Sequence, residues 1–555
     1  MSNYNQEFKF KKHEKIGYVD AQEDISFLEE CFVDTGELDI LADTMKPECI
    51  VLGRTGSGKT ALLEMLARKK GKSKSIRIAP DQLGLTYLSN NQMLKFFMEI
   101  GTEMDMFFRV LWRHILIVEV IKLHFELTNE AKLKNLMAQL KAKTFKKKSF
   151  EAARDYLIKH GETFWKDTEE RVTEFTKSVE DELTRAASIQ LDAAIPGLGS
   201  GKVEFSPNLV KKMTSEQKGE IVNRGRSVVN VEQIRDLNNV VDLLKEEFLD
   251  DQQKHYYIIL DRLDEKWVHD DFRYQLIRAL FETIRDLNPR FRPVVKVTVA
   301  IRHDLLHRVF RETRHITQDQ IEKYRSLYLE LKWGASDLEQ ILDLRVNQLI
   351  QRQYTKAKVK TREVLRGKVN QQNPIEYIIE RTLHTPRDVI LFFNECISEA
   401  QGKAAIGHSA IKIAEGRYSS QRLEALADEW SVDYPNLVSL SDLIKGRNQI
   451  FSIGDLITRI EDFSIRFITN SSNKPSDPIY KLIEEHDSQE AYDELVKHLV
   501  KILFRVGIVG IRLESNQETR WTHLGHRVDE AEIAMDDKCY VHPAFWRVLS
   551  IQGTN

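Results

Sequence analysis

Lys59 and Thr60 follow three glycines at a spacing that holds phosphate. Gly53-Arg54-Thr55-Gly56-Ser57-Gly58-Lys59-Thr60 fits G-x-x-x-x-G-K-[ST] at every fixed position. The glycines let successive backbone N–H groups turn inward around an anion, the following helix points its positive end there, and the lysine adds a mobile charge. Thr60 would present its hydroxyl to Mg²⁺, and Gly53, Arg54, Thr55, Gly56, Ser57, Gly58, Lys59, Thr60 and Ala61 form the expected nucleotide-binding segment. The chemistry this pattern serves is the binding of a nucleoside triphosphate with Mg²⁺.

The other half of such a site is acidic. His255 to Trp267 reads His-Tyr-Tyr-Ile-Ile-Leu-Asp-Arg-Leu-Asp-Glu-Lys-Trp, an apolar run that delivers Asp261 at its end. There it would orient the water shell of Mg²⁺, making Thr60 and Asp261 the expected metal pair. In many phosphate-loop ATPases a glutamate follows that aspartate and polarises the attacking water, but Arg262 stands here. The acidic duty would pass to Asp264 or Glu265, unless these two only place favourable negative charge at a helix start. A β-branched run, Pro293 to Ile301, ends in Arg302-His303-Asp304, so Arg302 would emerge beside the γ-phosphate. In Thr385-Pro386-Arg387-Asp388, Thr385 caps a helix and Pro386 opens it, which leaves Arg387 in the first turn and able to reach outward.

The elements that must position these residues read as α/β. Ile50 to Leu52 suits a buried strand before the loop, the Ala61-Leu62-Leu63 run suits a helix after it, and Ser75 to Ala79 suits a second strand. The strand that delivers Asp261, a helix from about Phe272 to Leu287 and the run Pro293 to Ile301 make a parallel crossover unit of a doubly wound sheet. Ile16-Gly17-Tyr18 and the helical spacing of Ile25, Leu28 and Phe32 lie where an adenine-packing element would stand, or a purely structural start.

The expected division is 1–89 and 246–335 as one nucleotide-binding core, interrupted by a helical insertion over 90–245. Leu94, Phe97, Met98, Phe107, Phe108, Leu111 and Trp112 would anchor the insertion. The basic run Lys141 to Lys148 could hold a nucleic-acid backbone, although a solvated helix end is the commoner meaning. Ile195 to Val203 imitates a phosphate loop but has the wrong spacing and no strand before it, so it reads as a linker. Helical stripes over 336–420 read as a lid that carries Arg387. The segment 421–555 has short helices over Leu423 to Glu429, Asp455 to Phe463 and Ile479 to Glu485, then a helix over Ala491 to Arg505, and Gly507 to Leu513 with Thr519 to Leu524 as a hairpin, like a winged helix. Lys497, His498, Lys501 and Arg505 give that last helix a mildly basic end, open to nucleic-acid reading or to protein docking.

The bulk composition sets limits. With 555 residues the chain exceeds one core, and a net charge of −3 means that any DNA or RNA contact must come from a local patch. Cys31, Cys49, Cys396 and Cys539 lack zinc or disulfide spacing, which suits a reducing cytoplasm. The opening residues do not read as a signal peptide, and Ile115 to Phe125 is too interrupted and short for a membrane span, so it reads as a core helix.

Together these residues resemble an AAA+ ATPase, most similar to its origin-recognition-like and signal-transduction (STAND and KAP) branches. Ile16-Gly17-Tyr18, Leu260 to Trp267, Leu331-Lys332-Trp333 and His542-Pro543-Ala544-Phe545-Trp546 look like the pattern of a bacterial group of uncharacterised P-loop ATPases. The resemblance implies a catalytic set of Lys59, Asp261, Asp264, Glu265, Arg302 and Arg387, with Arg302 as first sensor and Arg387 as second. It implies ATP-dependent switching, homo-oligomerisation, a nucleic-acid or effector-protein partner, and a setting of bacterial stress or antiviral defence. The alternative is a nucleotide-bound scaffold that hydrolyses little.

Overall fold

The computed structural model describes residues 8–80, 105–124, 254–313, 321–353, 358–470, 477–514 and 517–553, apart from Lys266, His269 and Asp487, together with a few positions between 126 and 245. Leu94, Phe97 and Met98, the basic run 141–148 and the segment 195–203 lie outside the described residues. The chain gathers into two compact bodies. One holds residues 36–53 and 59–331, the other 1–35, 54–58 and 332–555.

The first body is built on a parallel sheet. Its strands are β1 (Ile50–Gly53), β2 (Ser75–Ile78), β3 (Tyr256–Leu260), β4 (Val295–Arg302) and β5 (Tyr328–Glu330), in the order β2-β3-β4-β1-β5. Every residue of β1 and β3 is buried, as the continuous apolar runs require of strands covered on both faces. After β1 comes the helix Lys59–Lys70, whose Leu62, Leu63 and Leu66 are buried, each contributing about 2 kcal/mol. The longer helix Asp270–Phe291 packs on β4 and on the helix Asp105–His124, the described part of the expected insertion. Two contacts fix this packing. Trp112 Nε1 donates to the Leu276 carbonyl at 2.8 Å, and the Asn288 amide brackets Val297 with bonds of 3.0 and 2.8 Å. Phe108, Leu111 and Ile115 are buried in the same core, as the helical spacing requires.

Lys296 is an unusual member of this core. It lies in β4, is 1% exposed, and donates to the carbonyls of Ile40 and Asp43 at 2.9 and 2.7 Å. Burial lowers its pKa from 10.5 to about 8. The unfolded chain therefore binds this proton more tightly, and stability should rise with pH between about 8 and 10.5. Relative to a Lys296→Met variant, the urea-unfolding free energy of the wild type should climb across that window by up to about 3 kcal/mol. A difference that stays flat with pH would rule the effect out.

The second body is mostly helical. Its helices Ala335–Gln353, Pro374–Glu380, Pro386–Glu399, His408–Glu429, Ile457–Thr469, Pro478–Glu485 and Tyr492–Val506 share one apolar core, and the helix Ile25–Cys31 packs on Ala335–Gln353. Leu338, Ile341, Leu342, Val346 and Leu349 face that core, as their spacing requires. Arg345, 5% exposed, pairs with Asp24 and donates to the Ile16 carbonyl at 3.0 Å, so the Ile16–Asp24 segment is tied down here.

Two expectations for the tail need correction. The short helix expected at 423–429 is the end of the continuous helix His408–Glu429, because no residue in that stretch breaks the pattern. The expected hairpin shrinks to one bridge between Ile511 and Arg520. Instead β7 (Val509–Arg512) forms its ladder with β8 (Lys538–Val541), which also pairs with β6 (Ile450–Ser452), giving a three-stranded antiparallel sheet. Val509, Ile511, Cys539 and Val541 are the buried positions, and only this partner matches that alternation. Among the described residues, no helix is long and apolar enough to cross a membrane.

Candidate functional site

In the sheet body the candidate residues collect at the carboxyl edge. Lys59, first in its helix, donates from Nζ to the carbonyl of Gly53 at 3.1 Å, so both ends of the glycine-rich loop meet there. Thr60 donates its hydroxyl to Asp261, which directly follows β3. Asp261 is 6% exposed, and its Oδ1 accepts the Arg262 backbone N–H at 2.9 Å. Its Oδ2 is buried without a hydrogen bond. The nearest cation is Arg77 on β2, 3.7 Å from Oδ2 and itself held by Glu64. Burial pushes the Asp261 pKa up, and the Arg262 N–H, the Thr60 hydroxyl and Arg77 only partly offset this.

An oxygen left buried and unbonded beside a hydroxyl suits a small hard cation. Among the described residues no group of three or more His, Cys, Asp or Glu could cage a metal. A cation at Asp261 would thus be completed by water and by oxygens of a bound ligand, the habit of Mg²⁺.

Asp264, Glu265 and Asp304 each lie beside an arginine. Arg262, at φ 62°, lies 3.6 Å from Glu265, and Arg302 lies 3.8 Å from Asp264. Arg302 ends β4 opposite Gly53 in register and grips Asp304 through Nε at 3.0 Å and through a second, shorter contact. Burial alone would raise the Asp304 carboxyl, but the hydrogen bonds and charge of Arg302 outweigh it and hold the pKa below the ordinary value.

The tip of the loop, residues 54–58, belongs to the helical body. Thr385 caps the helix Pro386–Glu399, accepting from the Asp388 N–H at 3.2 Å. Arg387, in the first turn, donates its backbone N–H to the Gly56 carbonyl at 3.3 Å. Gly56 has φ +81°, and a Cβ there would lie 2.8 Å from the Arg387 Cβ and 3.3 Å from the Thr385 hydroxyl. Trp333 donates from its indole to the Ser57 carbonyl at 2.8 Å. The hydroxyls of Thr55 and Ser57 and the Nε of Arg387 are buried without hydrogen bonds. Burial lowers the Arg387 pKa from its ordinary value. This loop tip thus presents unsatisfied polar atoms while its carbonyls are turned onto Trp333 and Arg387.

Residues 336–427 match the FunZ-associated C-terminal helical domain. No curated protein matches the chain. The segment similar to the FunZ-associated domain carries Thr385 and Arg387, so the part of the chain with a family likeness holds the loop tip.

Arg54 extends in the same body to the Val506 carbonyl at 3.3 Å, at the end of the helix Tyr492–Val506. Beside it His523 packs against His384 and Trp521 with tilted rings at 5.6 and 5.4 Å, and edge-on against His542 at 4.8 Å. Burial, with the charge of Arg54 adding to it, holds His523 far below its ordinary pKa and brings His542 to about 3, so this cluster stays neutral. The sequence did not mark Arg77, Trp333 or these histidines as parts of a site, because nothing in their local pattern distinguishes them from packing residues. Trp333 and His542 stood only inside motifs of resemblance.

Three of the four basic residues expected at the end of the last helix are engaged within this body. His498 and Lys501 both bind Glu530, at 2.7 and 2.9 Å, and Arg505 bonds the Tyr434 hydroxyl at 3.1 Å.

Proposed function

We propose that the chain binds ATP with Mg²⁺ and hydrolyses it, as an AAA+/STAND-like P-loop switch that couples nucleotide state to a nucleic-acid or protein partner. The observation that carries this reading is Asp261, whose buried Oδ2 has no hydrogen bond while its carboxylate takes the hydroxyl of Thr60, the residue after Lys59. Thr60 and Asp261 would hold the Mg²⁺, which neutralises charge on the transferring phosphoryl group. Lys59 would hold the β- and γ-phosphates, and backbone N–H groups of Gly53 to Ala61 would cradle the chain of phosphates. Arg302, which ends β4, and Arg387, in the first turn of the helix Pro386–Glu399, would act as charge sensors.

A second reading, a nucleotide-bound scaffold with little turnover, draws on Arg262 and on the pairing of Arg302 with Asp304. The engagement of His498, Lys501 and Arg505 within the tail favours a protein partner for it over nucleic acid. Homo-oligomerisation follows from the family resemblance alone.

The deciding measurement is ATP turnover by the purified protein alone and with single-stranded DNA, double-stranded DNA or RNA, with Lys59→Ala as the blank. Stimulation by one of them names the ligand class. ATP binding with turnover at the blank in every condition supports the scaffold, and absence of ATP binding overturns both readings.

A further inference from the structure

The sheet body holds a second polar pair at its carboxyl edge. His303, the residue after β4, lies with Nε2 3.2 Å from Oε1 of Glu330, the last residue of β5. Their meeting follows from the strand order. β4 and β5 flank β1 on its two sides, with Arg302 level with Gly53 and Glu330 level with Leu52. His303 and Glu330 therefore bridge over the end of β1, where Gly53 opens the loop and Lys59 closes it with its bond to the Gly53 carbonyl. Asp261 follows the Leu260–Val299 rung, so in register Glu330 stands one position and His303 three positions further along the strands, at about 3.3 Å per residue. Both side chains keep contact with solvent, His303 at 33% and Glu330 at 39% exposed.

The pair also stands where a role is open. Arg262 occupies the position after Asp261, while Asp264 and Glu265 each face an arginine. The guanidinium beside each of these carboxylates competes with a water for its oxygens. A histidine oriented by a carboxylate on one ring nitrogen is, in contrast, the standard arrangement for taking a proton on the other.

Resting on the ATPase reading, we infer that His303 is the base that activates the attacking water and that Glu330 positions it. With Nε2–H donated to Glu330, Nδ1 accepts a proton from water as the water oxygen bonds to the γ-phosphorus. The bond from that phosphorus to the β,γ-bridging oxygen breaks, and its electron pair leaves with ADP. The imidazolium, held by Glu330, then returns the proton to solvent.

The test compares kcat and ATP affinity in full-length wild type, His303→Ala and Glu330→Gln. The expected result is a kcat at least about 100-fold lower in His303→Ala with ATP affinity within about twofold, and about tenfold lower in Glu330→Gln. Added imidazole should restore part of the His303→Ala turnover, which a packing role would not allow. Turnover in His303→Ala within twofold of wild type overturns the inference, as does a loss that imidazole leaves untouched. A wild type that binds ATP without hydrolysing it also overturns the inference, whereas a wild type that fails to bind ATP overturns the ATPase reading itself.

Discussion

Asp261→Asn should lower ATP turnover about 10³-fold, remove the stimulation by Mg²⁺, and yet raise the melting temperature of the ligand-free protein. The kinetic loss follows from charge. An asparagine offers a neutral oxygen where a doubly charged cation must be held, and a metal stabilising a transferring phosphoryl group is worth several kcal/mol, with each 1.36 kcal/mol a factor of ten. The gain in stability follows from the same burial. The folded-state pKa of Asp261 lies above its ordinary value, so the folded chain holds the proton more tightly than the unfolded one. Ionising the group therefore costs stability as pH rises through that window, and the cost persists at neutral pH. Asparagine escapes it and can still accept from the Thr60 hydroxyl. The measurements are Mg²⁺-dependent turnover and melting curves with and without Mg²⁺·ATP. A variant that keeps the response to Mg²⁺ would remove Asp261 from the metal site, and one that melts lower would show that its charge is compensated in the free protein. The sign also sets the pH trend in the wild type: lowering the pH protonates Asp261, so more Mg²⁺ should be needed for half-maximal turnover.

The residues around Asp261 show how far sequence alone reaches. Gly53 to Thr60 and the run into Asp261 were legible because each is a local pattern, an apolar strand followed by residues of restricted type. Thr385 and Pro386 were legible for the same reason, since capping depends on neighbours within one turn. Arg77, Glu330 and Trp333 were not, because their roles arise from pairings across strands and across long stretches of chain. Strand order brings Glu330 to His303, and no local spacing encodes that order. The tail hairpin failed similarly. Gly507 to Leu513 and Thr519 to Leu524 are close in sequence and both suit a strand, but burial of Val509 and Ile511 against Cys539 and Val541 gives the ladder to a segment further along the chain. Non-local burial outweighed proximity.

Gly56→Ala should weaken ATP binding by about 100-fold while leaving the fold intact, and the reason can be divided by a second substitution. The glycine sits at φ +81°, where a side chain costs about 1–2 kcal/mol. Its new methyl would also meet the Arg387 Cβ at 2.8 Å and the Thr385 hydroxyl at 3.3 Å, closer than carbon atoms pack. Since the Arg387 N–H is bonded to the Gly56 carbonyl, relief requires the loop tip or the start of the helix Pro386–Glu399 to shift. Either movement turns the unsatisfied Thr55 and Ser57 hydroxyls away from their present aim. Adding Arg387→Gly deletes the clashing Cβ but leaves the backbone strain, so the double variant should recover about tenfold in affinity over Gly56→Ala combined with Arg387→Ala, which keeps the Cβ. Circular dichroism checks the fold and a fluorescent ATP analogue gives the dissociation constants. Equal affinities for the two double variants would mean that strain in the loop alone sets the effect. Wild-type affinity in Gly56→Ala would mean that this loop does not hold the nucleotide.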